Sequence, residues 1–376
     1  MRCHLKNVVM KTELRRAFQR RLRAVALLFT LAFGVPSAFR AQERPFEFLV
    51  AGDSLVWGQG LNENEKFYSL TADWLRQNAI GSGRTLNLKV KAHSGSTLKF
   101  HPDEAAKYEK LGRSETYYFK PEVNVGFPSI YKQIETASAE YRAEGKTADL
   151  IMLGGGITDI TTSKVFDPKG DDTILRDDVT LYLRDHLYDV LELAAERNPE
   201  AKIVVIGYFP VITTNSNSGK LLNAWLEVLS FPRAFKFVAN NPFVRPLFFN
   251  KLRKRAIERS RIWLEESDLR MKEAVAKLNQ KLGRERVFFV PSPLSDEHAA
   301  EAPKTKLFRM GKGGFVTDPI ARQRSTDCRA ALPKLKTESG IDYPVRLCEV
   351  AALGHPDKTG ARAYADAIIQ KLKTLW

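Results

Sequence analysis

Ser54 lies in the turn Gly52-Asp53-Ser54-Leu55, directly after the apolar, β-prone run Phe48 to Ala51 and ahead of a helix-competent segment that starts near Glu63. A serine where a strand hands over to a helix exposes its hydroxyl and has backbone N–H groups beside it that can face an anion. Three more turns share this character: His93-Ser94-Gly95-Ser96, Gly154 to Asp159, and Gly354-His355-Pro356. Acyl transfer needs an activated hydroxyl, a base to take its proton, and donors aimed at the developing oxyanion. Ser54 supplies the first, His355 the second, and the glycine-rich turns the third. His93 and His298 are competing bases, the first beside Gly95 and lining the pocket, the second in the polar loop Ser295 to His298. Asp53 reads as a brace for the serine turn by hydrogen bonding, and with His93 and Asp159 it is placed among the pocket residues.

These turns need elements to hold them. Apolar runs at Phe48 to Ala51, Leu86 to Ala92, Ala148 to Leu153, Lys202 to Tyr208 and Val287 to Val290 read as five strands. Helical spacing appears between them, at Glu63 to Ala79, at Asp172 to Arg197 with Val179, Leu183, Leu187, Val190 and Ala194 on one face, and in a long stretch reaching Gly283. A polar, loop-rich tail then precedes a last helix over Thr359 to Leu375. Strands alternating with helices predict a parallel sheet covered on both faces. With no internal repeat or low-complexity linker, residues 42–376 read as one domain with insertions at about 99–147 and 214–283.

Residues 1–41 read as an export segment: five arginines between Arg15 and Arg23 precede the apolar run Ala24 to Val35, and Ser37, Ala38 and Ala41 offer cleavage points. Arg15-Arg16 leaves the general and the twin-arginine routes both open. Without that segment the chain has 50 basic and 43 acidic residues, a net charge of +7 in place of +15, and a nucleic-acid partner loses its support. Of three cysteines, Cys328 and Cys348 remain, and an oxidising compartment predicts a disulfide between them. The segment Phe231 to Arg259 holds six phenylalanines among eight basic residues and one acid. It reads either as an interfacial lid for anionic lipid or as a core insertion with a solvated basic face. Asp171, Asp172, Asp177 and Asp178 read as helix-start acids; no spaced Cys/His set and no Gly-Lys-Ser/Thr loop is present, so no metal or other cofactor is expected. A Gly-x-Ser-x-Gly elbow is also absent.

Four blocks in order resemble the GDSL or SGNH hydrolases: Gly52-Asp53-Ser54-Leu55 with Gly58, Gly95 after the second strand, Gly156-Ile157-Thr158-Asp159, and His355-Pro356 with Gly360-Ala361 behind it. The resemblance implies a flavodoxin-like three-layer α/β/α fold with a mostly parallel five-stranded sheet, and a serine esterase or lipase acting on lipid or acylated carbohydrate. It makes Ser54 the nucleophile, His355 the base, and the N–H groups of Ser54 and Gly95 oxyanion donors. Thr158 stands where the family has an Asn donor, and Ala352 where it usually has the Asp that orients the histidine. A backbone carbonyl of residues 351–353 is then the expected acceptor for His355 Nδ1–H, ahead of Glu349 or Asp296. The other readings are a catalytically silent binding protein on the same fold, and an O-acyltransferase or deacetylase acting on cell-wall glycan.

Overall fold

The structure, a computed structural model, describes residues 44–79, 84–99, 128–228, 244–340 and 342–376. The export segment, residues 231–243 of the basic aromatic segment and residues 100–127 of the 99–147 insertion lie outside these. The sheet is built from five runs rich in Val, Ile, Leu and Phe: β1 Phe46–Gly52, β2 Leu86–Val90, β3 Leu150–Gly154, β4 Lys202–Ile206 and β5 Val287–Val290. Their order across the sheet is β2-β1-β3-β4-β5, and every pairing is parallel. Residues of β1 and β3 are buried throughout, as strands covered on both faces must be; β3 reads as a continuous apolar run, and β1 does so but for the buried Glu47, whose carboxylate accepts from Asn87 Nδ2 at 2.9 Å.

The helices, in chain order, are α1 Ser54–Trp57, α2 Phe67–Trp74, α3 Ile130–Ala143, α4 Ile157–Ile160, α5 Asp172–Thr180, α6 Leu187–Arg197, α7 Ser218–Val228, α8 Val244–Leu282, α9 Ala321–Ser339, α10 Val345–Glu349 and α11 Lys358–Leu372; a short turn of helix at Thr162–Val165 is left unlabelled. A π-helical stretch, Leu181–His186, joins α5 to α6 without a break. One group of helices is α2 with α11, where Phe67 stacks on Tyr364 at 5.5 Å; the other is α3, α6 and α8, in which α6 meets both of the others, α3 touches β1 and α8 touches β5. This is a three-layer α/β fold with the five-stranded sheet in the middle. Strand order reverses at β1, which places the crevice for a ligand beyond the carboxyl ends of β1 and β3.

Two expectations are corrected. The tail before the last helix is not loop throughout, because α9 and α10 fill residues 321–339 and 345–349. Their buried stripe was hidden in the sequence: Ala321, Cys328, Leu332 and Leu335 share it with Arg324 and Ser325, polar residues that break the apolar period. The second strand also stops at Val90, short of Ala92.

Within the basic aromatic segment, the described part turns one face inward and leaves Lys251, Leu252 and Lys254 exposed. Phe249 is buried with Ile212, Leu221, Leu222, Leu226 and Ala256. Arg255 and Arg259 both bind Asp172 at the start of α5, and Arg259 also donates to the carbonyls of Lys164 and Val165. Asp171 caps α5 through the N–H groups of Thr173 and Ile174. Cys328 and Cys348 form the disulfide, with Cα atoms 6.0 Å apart, and tie α9 to α10. No helix among the described residues is long and apolar enough to cross a membrane.

Candidate active site

Ser54 opens α1 at the carboxyl end of β1, and Asp53 in front of it caps that helix by accepting from Leu55 N–H at 2.9 Å. The turn is tight because both strand ends beneath it are glycine. Gly52 pairs with Gly154 in the β1/β3 register, and a Cβ on Gly52 would lie 2.6 Å from both Gly154 O and Val56 Cβ. His355 arrives from the other end of the chain, in the turn between α10 and α11. Its main chain is fixed by Phe308 N–H donating to His355 O at 2.8 Å and by His355 N–H donating to Ala352 O at 3.0 Å. Asp357 then caps α11 through Thr359 and Gly360 N–H.

His355 Nε2 lies 2.8 Å from Ser54 Oγ, across a sequence separation of 301 residues. Both side chains are half-buried. Neither competing histidine takes this place. His93 is buried with Nδ1 2.9 Å from Ser94 O, and His298 Nδ1 is bonded to the Ser295 N–H and hydroxyl. The carbonyls expected to accept from His355 Nδ1, those of Ala352 and Leu353, do lie beside the ring, but neither completes a hydrogen bond to the buried Nδ1. The carbonyls of Ala352 and Leu353 lie close enough to favour the protonated ring, but burial and the Arg324 charge outweigh them and push His355 down to about 4. Glu349 is taken by Arg329, Arg346 and Ser325, so it does not substitute for the missing acid.

Three side chains stitch the turns together. Asp53 accepts from the Tyr208 hydroxyl at 2.8 Å, and that same oxygen accepts from Ile157 N–H at 3.0 Å, which joins the serine turn to the turn carrying Thr158. Asp159 accepts from Leu98 N–H through both oxygens at 3.2 and 3.0 Å, joining that turn to the Gly95 turn. Gln133 of α3 accepts from Gly52 N–H at 2.8 Å and donates to Ser96 Oγ at 2.8 Å and Gly52 O at 3.1 Å. Thr158, partly exposed, sits between Ile157 and Asp159 on the first turn of α4. Gly156 before it has φ 126°, and a Cβ there would meet Leu183 Cδ2 at 2.1 Å, so only glycine fits.

Asp53 is shut off from water, and its burial raises it to about 6 despite the hydrogen bonds from Tyr208, Leu55 and Val56 that pull it down; the Asp159 charge adds to the rise. Burial and the Asp53 charge hold the Tyr208 phenol well above its ordinary value, so it stays a donor. The sequence reading missed Gln133 and Tyr208. Gln133 had a signal, since a polar residue interrupts the apolar stripe Ile130, Ile134, Ala137 and Tyr141 of α3. Tyr208 had only its place, two residues beyond β4 at the end of the sheet where the site lies.

No family model and no curated protein matches the chain. Among solved structures it is similar to the extracellular lipase of Streptomyces rimosus, at 12% identity and a TM-score of 0.42 over 86% of this chain and 99% of that one. It is similar to the phospholipase A1 of Streptomyces albidoflavus at 12% identity and a TM-score of 0.42, over 87% and 99%. A family two carbohydrate esterase of Clostridium thermocellum matches at 12% identity and a TM-score of 0.39, over 88% and 64%. At TM-scores below 0.5 these likenesses add nothing to the chemistry, which stands on the distances between Ser54, His355 and the residues that fix them.

Proposed function

We propose that this protein is an exported serine hydrolase that cleaves a carboxylic ester, with lipid or acylated carbohydrate as the substrate class. The observation that carries this reading is the 2.8 Å approach of His355 Nε2 to Ser54 Oγ at the carboxyl end of the central strands. His355 takes the Ser54 proton as the hydroxyl oxygen attacks the ester carbonyl, and returns it to the departing alcohol; water then repeats the cycle on the acyl-serine. The oxyanion is met by the N–H groups of Ser54 and Gly95, with the Thr158 hydroxyl as a third donor. Asp53 and Asp159 act on substrate only through the turns they hold. The disulfide supports an oxidising destination, and the basic, apolar pattern of residues 1–41 supports export.

One observation favours a catalytically silent binding protein: the bare Nδ1 of His355, which no acid orients. A panel of short- to long-chain acyl esters separates the two readings, with Ser54→Ala as the control. Turnover that disappears in Ser54→Ala is expected, and Thr158→Asn should raise it while Thr158→Val lowers it. Absence of any serine-dependent turnover would leave only the binding protein. Acyl transfer to an added glycan acceptor in the same assay distinguishes an O-acyltransferase from a hydrolase.

A further inference from the structure

The two backbone donors assigned to the oxyanion, the N–H groups of Ser54 and Gly95, belong to separate turns, so their separation depends on what holds the second turn to the first. The Gly95 turn closes on itself through Ser96 N–H, which donates to His93 O at 3.3 Å, with Gly95 at φ 79°. At its entry the turn is held to the end of β1 by main chain, His93 N–H donating to Gly52 O at 3.0 Å. At its exit the holder is a side chain, Gln133 of α3, which is 1% exposed. Gly52 N–H can only donate, so the Gln133 atom 2.8 Å from it is the oxygen Oε1. Nε2 is left to donate to Ser96 Oγ at 2.8 Å, to Gly52 O at 3.1 Å and to Pro128 O at 3.3 Å. The helix that carries Gln133 is docked just beyond the same turn: Ile130 N–H donates to Thr97 O at 2.7 Å and Tyr131 N–H to Leu98 O at 2.9 Å.

We propose that Gln133 is a positioning residue for the oxyanion site: its carboxamide binds Gly52 and Ser96 at once and so fixes the Gly95 N–H relative to the Ser54 N–H. This rests on the reading of Ser54 as nucleophile with those two donors beside it. Gln133 is shut off from solvent and acts only through the turns it joins. A carboxamide suits the task because it meets the N–H and the C=O of Gly52 together, which fixes the orientation of that residue as well as its distance. Without it the Gly95 turn keeps its hinge at His93 and its next anchor, Leu98 N–H on Asp159, but Ser96 between them loses its tie. A misplaced oxyanion donor weakens transition-state binding more than substrate binding, because the oxygen fully enters the site only as charge develops on it.

The test is steady-state kinetics of wild type, Gln133→Met, Ser96→Ala and the double variant on one ester, read beside hydrogen exchange at the Ser96 amide of the free protein. Gln133→Met keeps the length of the side chain and removes every bond it makes. It should lower kcat by about ten- to a hundredfold while KM stays within about twofold of wild type. Affinity for an alkylboronic acid, whose tetrahedral adduct on Ser54 puts an oxygen in the oxyanion site, should fall by the same factor as kcat/KM. Ser96→Ala cuts only the exit tie, and the double variant should lose no more than Gln133→Met alone, since both residues belong to one bridge. An unchanged kcat in folded Gln133→Met, a loss confined to KM, or additive losses in the double variant would each overturn the proposal. If Gln133→Met does not fold, Ser96→Ala carries the same expectation of a lower kcat at unchanged KM. Exchange at the Ser96 amide should quicken in either single variant, and it needs no turnover. A wild type without serine-dependent turnover therefore defeats the functional reading, whereas Ser96 exchange unmoved by Gln133→Met defeats this proposal alone.

Discussion

At the residue scale, two ionisable side chains of the site are displaced in opposite directions over nearly the same pH range. His355 falls to about 4 in the folded protein, so its contribution to stability is complete above about 6.5 and is lost as pH falls through 4. Asp53 rises to about 6, so its contribution is complete below about 4 and is lost as pH rises through 6. Each displacement of about two units corresponds to roughly 3 kcal/mol before solvent screening, and the two slopes oppose each other. The wild type should therefore show little net change in stability from these groups between about pH 4 and 6.5. Asp53→Asn should expose a stability that rises with pH in that window, and His355→Ala one that falls; urea melts at three pH values measure both slopes. Equal, flat profiles in all three proteins would mean that neither group is displaced. Ser54 and His355 were legible in the sequence because each lies in a turn marked by residues that shape the backbone, Gly52 before the serine and Pro356 after the histidine. The surroundings of His355 Nδ1 were not, since they depend on what the fold packs against the histidine turn.

At the element scale, β5 falls where the sequence puts it, and α5 and α6 run as the predicted 172–197 helix, because both carry unbroken apolar patterns. Helix α9 was missed for the opposite reason. It carries Pro333 in its interior, which removes one helical N–H, and spends Arg324 and Ser325 on its buried stripe. Its stability then depends on more than its own sequence, and the Cys328 to Cys348 bridge supplies the tie to α10. Closing a loop over a sequence separation of 20 is worth about 3 kcal/mol in the chain-entropy model. A Cys328→Ser/Cys348→Ser variant should lose stability of that order in denaturant melts. Because the bridge joins α9 to the helix that leads into His355, turnover should fall in folded double-serine protein as well. Activity equal to wild type at temperatures far below the melt would show that α9 and α10 hold the histidine turn unaided. Both sulfur-bearing residues are 0% exposed, so mild reductant should leave the native protein unaffected.

At the scale of the whole molecule, residues 45–376 form one compact unit whose sheet gathers turns from positions 54, 95, 158 and 355 at one end. That gathering was legible as an alternation of strands and helices; what locks the turns to one another was not. Long-range polar contacts leave no periodic trace in a sequence. The basic surplus of the region around Arg255 illustrates the same limit, since Arg255 and Arg259 look like surface charge in the sequence and are bound to Asp172 in the fold.

The side chains that bridge the turns have a consequence for how the protein opens. The amides of Gly52, Leu98 and Ile157 are each held by a side chain from another element, Gln133, Asp159 and Tyr208 in turn, so none can reach solvent while its partner element stays in place. Hydrogen exchange at the three should then proceed through one shared opening with a common free energy, as a single cooperative unit. Of the three amides Tyr208→Phe takes the partner from Ile157 alone, and it also takes a donor from Asp53; exchange at Gly52 and Leu98 should nevertheless speed up as well, by about tenfold or more for the one or two hydrogen bonds lost from the shared unit. Acceleration confined to Ile157 would show that the turns open one at a time.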